Sequence, residues 1–350
     1  MKTVVVGMSG GVDSSVSALL LKQQGFKVIG LFMKNWEEKD ANGVCQASKE
    51  YEDAASVCDK IGIPCYSVNF VKEYWEHVFT HFLREFEQGH TPNPDILCNR
   101  EIKFKAMYDK AMDLGADFLA TGHYCQNEQQ RLKKATDSGK DQTYFLYTIK
   151  ETILQRVLFP IGHLQKAEVR RIAREHALPT SEKKDSTGIC FIGERNFKQF
   201  LSQYLAIKPG NFETRNGRIV GQHDGVAFYT IGQRRGLAIG GAGEAWFVVD
   251  KDVTRNIVYV EQGADHPSLY STSLTCSDLS WVASPPTFPH RCKSKIRYRQ
   301  PDEECEILSL QDGIATVQFS APQRAVTPRQ SIVFYDGDFC IGGGIILGSP

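Results

Sequence analysis

Apolar positions in the first third of the chain alternate between two periods. Thr3-Val-Val-Val-Gly and Lys27-Val-Ile-Gly-Leu-Phe-Met33 are short continuous apolar runs and read as strands buried on both faces, whereas Val16, Leu19, Leu20 and then residues 47–61 recur at helical spacing. Pro64-Cys-Tyr-Ser-Val-Asn-Phe70 predicts a third strand, 72–87 and 100–114 predict helices, and Asp117-Phe-Leu-Ala-Thr121 predicts a strand. Alternation of this kind implies an α/β fold with a doubly wound parallel sheet, whose ligands sit beyond the carboxyl ends of the strands. Residues 126–142 are polar and read as a loop or short hairpin, Tyr144-Phe-Leu-Tyr-Thr148 returns to the core, and 166–176 predicts a basic helix with a solvated face. From Pro209 the pattern changes to short strands with Asn-Gly and Asp-Gly turns. The expected division is an α/β domain over 1–205, a small β-rich domain over 206–267 and a terminal β-barrel or sandwich over 268–350.

The first strand runs into Gly7-Met-Ser-Gly-Gly-Val-Asp-Ser14, a glycine-rich turn that opens a helix. Free amides at a helix N-terminus, with the dipole behind them and hydroxyls from Ser9, Ser14 and Ser15 beside them, suit a phosphate chain. No Gly-Lys-Ser/Thr closes the turn and it is not Gly-x-Gly-x-x-Gly, which disfavours ordinary P-loop NTPases and dinucleotide binders. Ser9-Gly-Gly-Val-Asp-Ser14 instead resembles the PP-loop of the ATP pyrophosphatases. That resemblance implies cleavage of ATP between its α and β phosphates, with AMP left on an oxygen.

Composition narrows the setting. A chain of 350 residues predicts two or three domains, and Lys+Arg and Asp+Glu both total 41, so a nucleic-acid partner must be met by a local patch. Ten cysteines without a Cys-x-x-Cys pair, and no apolar run long enough for a membrane span, point to a reducing cytoplasm with neither structural zinc nor an iron-sulfur cluster. Cys45, Cys58, Cys65, Cys125, Cys276, Cys292, Cys305 and Cys340 read as small apolar fillers. His77 and His81 have metal-ligand spacing on a helix, but no third ligand accompanies them, and solvated or packed histidines fit as well. Near the C-terminus Arg291, Lys293, Lys295, Arg297 and Arg299 share one parity, which in a strand lines a single face. Such a face suits a phosphate backbone, or a solvated edge strand pairing with Asp302, Glu303, Glu304 and Glu306.

Two cysteines stand apart from the fillers. Cys98 follows Asp95 in the Pro-punctuated loop Thr91-Pro-Asn-Pro-Asp-Ile-Leu-Cys-Asn99, and Cys190 lies in the Gly-rich loop after Lys183 and Lys184. A free thiol of pKa about 8.5 is mostly protonated at neutral pH, so a reactive one wants cations or a helix N-terminus nearby, and both have such surroundings.

Those two loops, with Ser9–Ser14, Gly30-Leu-Phe-Met-Lys-Asn-Trp36, Ala120-Thr-Gly-His123, Lys140-Asp-Gln142, Asp185-Ser-Thr-Gly-Ile-Cys-Phe-Ile-Gly193, Gly232-Gln-Arg-Arg-Gly236 and Gly342-Gly-Gly-Ile-Ile346, resemble the bacterial tRNA-specific 2-thiouridylases in order and over the whole chain. The resemblance implies sulfur insertion at C2 of the wobble uridine, position 34, in tRNAs for Lys, Glu and Gln, with ATP and Mg2+ consumed and a sulfur-relay protein or cysteine desulfurase as donor. It implies an ATP site of Gly7, Met8, Ser9, Gly10, Gly11, Val12, Asp13, Ser14, Met33 and Gly122, and catalytic roles for Cys98, Cys190 and Asp95. Cys190 would carry a persulfide, Cys98 would attack it, and Asp95 would serve as acid or base on the uracil. For tRNA it implies Asn93, Pro94, Asp95, His123, Lys140, Asp141, Gln142, Arg297, Tyr298 and Gln330. The rival readings are a PP-loop synthetase that adenylates a small molecule for amidation, a non-catalytic ATP-sensing RNA-binding protein, and a redox switch needing no ATP.

Overall fold

The computed structural model describes residues 1–37, 46–185, 191 and 197–349. Its first layer is a five-stranded parallel sheet of β1 (Thr3–Met8), β2 (Lys27–Lys34), β3 (Cys65–Asn69), β4 (Phe118–Ala120) and, after a hairpin of β5 (Cys125–Glu128) and β6 (Arg131–Lys134), β7 (Val157–Leu158). The order is β3-β2-β1-β4-β7, so the strand sequence reverses direction between β1 and β4. The continuous apolar run of β1 is explained by burial on both sides: Val5 joins one core cluster while Val4 and Val6 join the other.

Helices cover both faces, with one correction to the expected boundaries. The helix predicted from Arg100 begins at Pro94, because the Asn93 side chain accepts from Asp95 N at 3.1 Å and Pro94 occupies the first helical position. Asp95 and Cys98 therefore stand on a helix and not in a loop. From Cys98 to Ala106 the coil widens to i→i+5 bonding, as it does at Trp75–Phe79 within the helix over 71–87.

The middle sheet comprises β8 (Gly210–Glu213), β9 (Ile219–His223), β10 (Trp246–Asp252) and β11 (Ile257–Gln262) around Phe212, Tyr229, Val248 and Val260. Beyond it β12 (Tyr270–Trp281), β13 (His290–Lys295), β14 (Glu303–Gln311), β15 (Ile314–Arg324), β16 (Ser331–Asp336) and β17 (Phe339–Gly348) form a closed six-strand barrel, β17 pairing back onto β12. Closure removes the edges an open sandwich would expose.

The polar stretch 126–142 proves structural. Its hairpin extends the barrel, with Leu132 opposite Cys340 and Lys133 opposite Phe339. Tyr144 OH donates to Ser331 O at 2.9 Å, Lys150 Nζ donates to Trp281 O at 3.0 Å, and a single buried cluster runs from Val5 and Cys98 through Tyr147 to Val333 and Tyr335. The barrel is thus packed onto the α/β unit through a common core.

The basic strand also differs from expectation. β13 ends at Lys295, so Arg297 and Arg299 lie in the turn that follows. Cross-strand register sets Arg291 against Glu306 at 3.3 Å and Lys293 against Glu304 at 3.4 Å, and Lys295 reaches Asp302 at 3.6 Å. The acidic neighbours on β14 answer these charges, leaving no unbroken cationic face of five.

At the far corner of the barrel Arg329 Nε donates to Glu85 Oε2 at 2.6 Å, and Glu85 is 4% exposed. Burial alone would raise the Glu85 carboxyl, but Arg329 and His90 outweigh it and hold it below its usual range. Truncating Arg329 strands that carboxylate, so Arg329→Met is expected to lower unfolding stability by about 3 kcal/mol at neutral pH. A carboxyl with a depressed folded pKa stabilises above its unfolded value, roughly 4.3, and loses that contribution as pH falls through the folded one. Denaturant titrations of variant and wild type should accordingly converge in acid.

Candidate active site

The crevice at the strand-order reversal, between the ends of β1 and β4, is where an open α/β sheet receives a ligand. From β1 the chain enters Ser9, Gly10 and Gly11 and then α1 (Val12–Gln23). Gly10 has φ +69°, and a Cβ there would lie 2.5 Å from Glu50 O, so both conformation and space require glycine. Gly11 is the N-cap and no side chain caps it, which leaves the first amides of α1 directed at the crevice. Ser9 and Ser14 hydroxyls meet at 3.2 Å, and Ser14 Oγ and Ser15 Oγ donate to Gly11 O at 3.0 and 2.8 Å, tightening the turn. From β4, Gly122 lies against the same helix end: a Cβ there would sit 2.8 Å from Ser14 N. Met8 and Val12 bury their side chains in the core and Gly7 backs onto Met107, so these three offer the crevice only backbone. Met33 is half-buried on β2.

A charge network faces the turn. Lys166 Nζ lies 2.7 and 2.8 Å from the two oxygens of Asp13, and Tyr124 OH donates to Asp13 Oδ1 at 2.8 Å. Lys166 also reaches Asp185 at 2.9 Å, which Lys140 and Arg170 each meet at 2.8 Å. Burial would raise Asp185, but the hydrogen bonds and charges of Lys140 and Lys166 prevail and hold it at about 2. Lys183 Nζ donates to Gly10 O at 2.8 Å and to Asp53 at 2.5 Å. The helix Lys166–Glu175 is therefore solvated on one side only: Arg171 and Arg174 pair with surface glutamates, while Lys166 and Arg170 turn inward.

Asp95 and Cys98 stand on the helix that starts at Pro94, and His123, the residue after Gly122, reaches that helix at Lys103. Asp95 is half-buried, and desolvation pushes its carboxyl above the ordinary value against the opposing charge of Lys103. Cys98 is 2% exposed. His123 is buried between Phe104 and Phe159, its Nδ1 2.8 Å from Thr121 Oγ1 and its Nε2 3.3 Å from Lys103 Nζ. Burial, then Lys103, hold its imidazole well below its usual pKa and so neutral. An ammonium only donates, so Nε2 accepts and Nδ1 carries the proton toward Thr121.

The motif Asp185–Gly193 is described at two points. Asp185 sits in the network above, and Phe191, fully buried, packs on Phe82 at 4.9 Å, Phe79 at 5.0 Å and Trp36 at 5.7 Å between ring centres, in the cluster that contains Cys98. Cys190 lies outside the described residues, as does Cys45.

The remaining expected tRNA contacts are scattered and internally bonded. Lys140 binds Asp185. Asp141, 6% exposed, accepts from Ala135 N and Thr143 Oγ1, and Gln142 Oε1 accepts from Tyr124 N at 2.8 Å. Arg297 donates to Ile231 O at 3.0 Å and Ala325 O at 3.1 Å, and Tyr298 packs on Phe145 at 4.4 Å between ring centres. Gln330 Nε2 donates to Thr91 O and so tethers the barrel to the segment before Asn93.

Comparison with known proteins decides the family. The sequence matches the family models described as tRNA methyl transferase HUP domain over residues 2–194, tRNA methyl transferase PRC-barrel domain over 198–262 and aminomethyltransferase beta-barrel domain over 271–346. A tRNA-specific 2-thiouridylase MnmA of Protochlamydia amoebophila is 65% identical, covering 99% of this chain and 93% of that protein. Namesakes from Geobacillus thermodenitrificans (59% identical, 98% and 94% covered) and Alkaliphilus oremlandii (57%, 98% and 96%) agree. The chain belongs to the tRNA-specific 2-thiouridylase family.

For a tRNA-specific 2-thiouridylase, the sequence reading passed over Lys103 and the inward turn of Lys166. Lys103 is half-buried in a helix rich in lysine, and nothing local in the sequence marks its contact with His123. Lys166 and Arg170 could have been separated from Arg171 and Arg174 by their i,i+4 spacing on one helix face.

Two outcomes follow from this geometry. Gly122→Ala, by forcing a methyl into the first turn of α1, should weaken ATP binding at least about tenfold, some 1.4 kcal/mol, by isothermal titration. Asp185 contributes stability above its unfolded pKa and loses it as pH falls through about 2, so Asp185→Asn should flatten the wild-type loss of hydrogen-exchange protection around α1 between pH 4 and 2.

Proposed function

We propose that this protein is an ATP-dependent tRNA uridine 2-sulfurtransferase, with the wobble uridine of tRNAs for Lys, Glu and Gln as substrate. The observation that carries the proposal is an uncapped phosphate-type turn beside Gly122, whose neighbour His123 reaches Lys103 on the helix that bears a carboxyl, Asp95, and a buried thiol, Cys98. The chemistry needs both. A uracil C2 oxygen is a poor leaving group until it attacks the α-phosphate of ATP. The O2–P bond then forms, the bond to the β-phosphate oxygen breaks, pyrophosphate leaves with the electron pair, and the N3 proton passes to a base.

In this reading Ser9, Gly10, Gly11, Asp13 and Ser14 would hold the phosphates and a magnesium ion, with Gly122 and Met33 by the adenosine. The Asp13 carboxylate would take the magnesium, which would supply charge neutralisation at the phosphates. Asn93 and Pro94 meet the flipped base and Asp95 exchanges the N3 proton. The outer sulfur of a Cys190 persulfide attacks C2, and AMP departs with the C2–O electrons. Cys98 thiolate then attacks the inner sulfur, forming a Cys98–Cys190 disulfide that a thiol reductant must reset, and N3 takes back its proton as C2=S forms. Alternatively Cys98 first frees sulfide, which attacks C2.

His123, Lys140, Asp141, Gln142, Arg297, Tyr298 and Gln330 are assigned to the tRNA side, and the persulfide donor is a relay protein or cysteine desulfurase. A methyl transfer, which the family descriptions name, would use neither the phosphate-type turn nor a thiol pair. No described helix is long and apolar enough to cross a membrane.

The test combines protein, unmodified tRNA, MgATP and a persulfide donor, and follows both pyrophosphate and sulfur retained in tRNA. Both should appear for wild type, and Cys98→Ser or Cys190→Ser should each cut retained sulfur by more than about a thousandfold, as loss of a nucleophile does. Pyrophosphate without retained sulfur would reject the assignment.

A further inference from the structure

The segment Gly232-Gln-Arg-Arg-Gly236, between β9 and β10 of the middle domain, has no part in the reaction as written. Its backbone is nonetheless a fixed frame. Gly232 N donates to Val248 O at 2.7 Å, Val248 N donates to Gln233 O at 3.0 Å, and Gln233 N donates to Thr230 O at 2.9 Å. The Gln233 side chain closes the turn from both flanks, its Oε1 accepting from Thr230 N at 3.0 Å and its Nε2 donating to Arg235 O at 2.9 Å. Gly232 has φ +82°, and a Cβ there would lie 2.6 Å from Ala325 Cβ, so the turn abuts the barrel.

Arg234 and Arg235 stand exposed on this frame. Among the described residues neither guanidinium meets a carboxylate, a carbonyl or an aromatic face. The two arginines nearest Gly232 are bonded inside the protein, Arg297 to Ile231 O at 3.0 Å and Arg324 Nε to Ala264 O at 3.4 Å. The exposed cations of β13 are likewise answered by glutamates of β14. Two adjacent like charges on a rigid turn, with nothing in the chain to balance them, favour an anion from outside it. The place of the turn indicates which anion. Thr230 Oγ1 meets Thr91 Oγ1 at 3.1 Å, two residues before Asn93, and Gln330 reaches Thr91 O from the barrel.

We propose that the Gly232–Gly236 turn is an RNA-backbone site, in which Arg234 and Arg235 each take a phosphate of the tRNA strand next to the wobble base. The proposal rests on the function stated above, with tRNA as substrate and Asn93 against the flipped base. A guanidinium suits this task because its planar fork matches two phosphate oxygens at once. Contacts to phosphate fix register and orientation and read no sequence. The turn therefore holds the anticodon arm in place, and the choice of base is left to the crevice.

The experiment measures equilibrium tRNA binding from about 50 to 200 mM KCl for wild type, Arg234→Gln, Arg235→Gln, the double Gln variant and the double Lys variant. One tRNA with uridine at position 34 and one without it are compared, and melting curves and MgATP titrations without tRNA check each fold. A phosphate contact in a single strand contributes about 0.7 to the slope of log affinity against log salt, so each Gln variant should flatten the slope by about 0.7 and the double by about 1.4. The double Gln variant should bind about tenfold more weakly near 0.1 M salt, in equal proportion for both tRNAs. The double Lys variant, keeping both charges, should keep the wild-type slope. Weaker binding with an unaltered slope would mean a merely structural role and overturn the proposal. Unchanged tRNA affinity in the double Gln variant, as expected if the pair faced an acidic protein surface, would overturn it too, as would a double Lys variant that falls with the Gln one. Wild type that binds tRNA with the expected slopes, yet leaves no sulfur in it with MgATP and a persulfide donor, would defeat the parent function and leave this contact standing.

Discussion

A polyanion can enter the α1 end of the sheet only if the carboxylate standing there is compensated. Asp13 lies in the first turn of α1, where the helix dipole favours it, but an uncancelled charge would repel the phosphates that the neighbouring amides attract. Lys166 spans both of its oxygens and Tyr124 takes one. Because Lys166 also binds Asp185, and Asp185 in turn holds Lys140 and Arg170, one compensation fixes three segments that are far apart in sequence. The segment that begins at Asp185 leads to Cys190. Neutralising Asp13 and fixing Asp185, the start of the segment that leads to Cys190, are thus a single structural act.

The segment that leads into Asn93 depends on the C-terminal domains as much as on the sheet. The short link over 88–91 precedes Asn93, and three elements grip it. Lys251, half-buried and lowered to about 8 mainly by desolvation, donates to Gly89 O and to Tyr229 O; Thr91 Oγ1 meets Thr230 Oγ1 at 3.1 Å; and Gln330 reaches Thr91 O from the barrel. Gly89, at φ +72°, leaves no space for a Cβ beside Val253. Gln330 and Arg297 thus serve, whatever else they contact, to hold the barrel and the middle domain to this segment and to each other.

What the sequence made legible follows from which interactions are local. β1, the glycine turn and α1 were readable because apolar period, φ requirement and capping chemistry all act within a dozen residues. The helix start at Pro94 was equally local, with an Asn cap before a Pro at the first position, yet the proline punctuation read as loop. The hairpin over 125–134 was opaque for a different reason: its partner strand, β17, lies some two hundred residues away, and nothing nearby records that pairing. The parity of the five cations was real, but strand length decides whether parity becomes a face, and β13 stops at Lys295. Lys103 was hidden because the coil that orients it departs from the period on which helical reading rests.

The two half-sites meet at adjacent residues of one strand end. Gly122 touches the first turn of α1, and His123 touches Lys103. Neither can easily shift alone: a methyl on Gly122 has no room, and His123 is clasped by Thr121 on one nitrogen and Lys103 on the other. The end of β4 would then stand, in the proposed reaction, as a spacer between phosphate and base. In the proposed reaction the attacking uracil oxygen must meet the α-phosphate in line, where displacements on the order of 1 Å cost about a hundredfold in rate. Flexible loops at both half-sites would leave that separation unset. A two-residue segment just beyond β4, which is itself paired with β1 over Phe118–Ala120, would set it close to the centre of the parallel sheet.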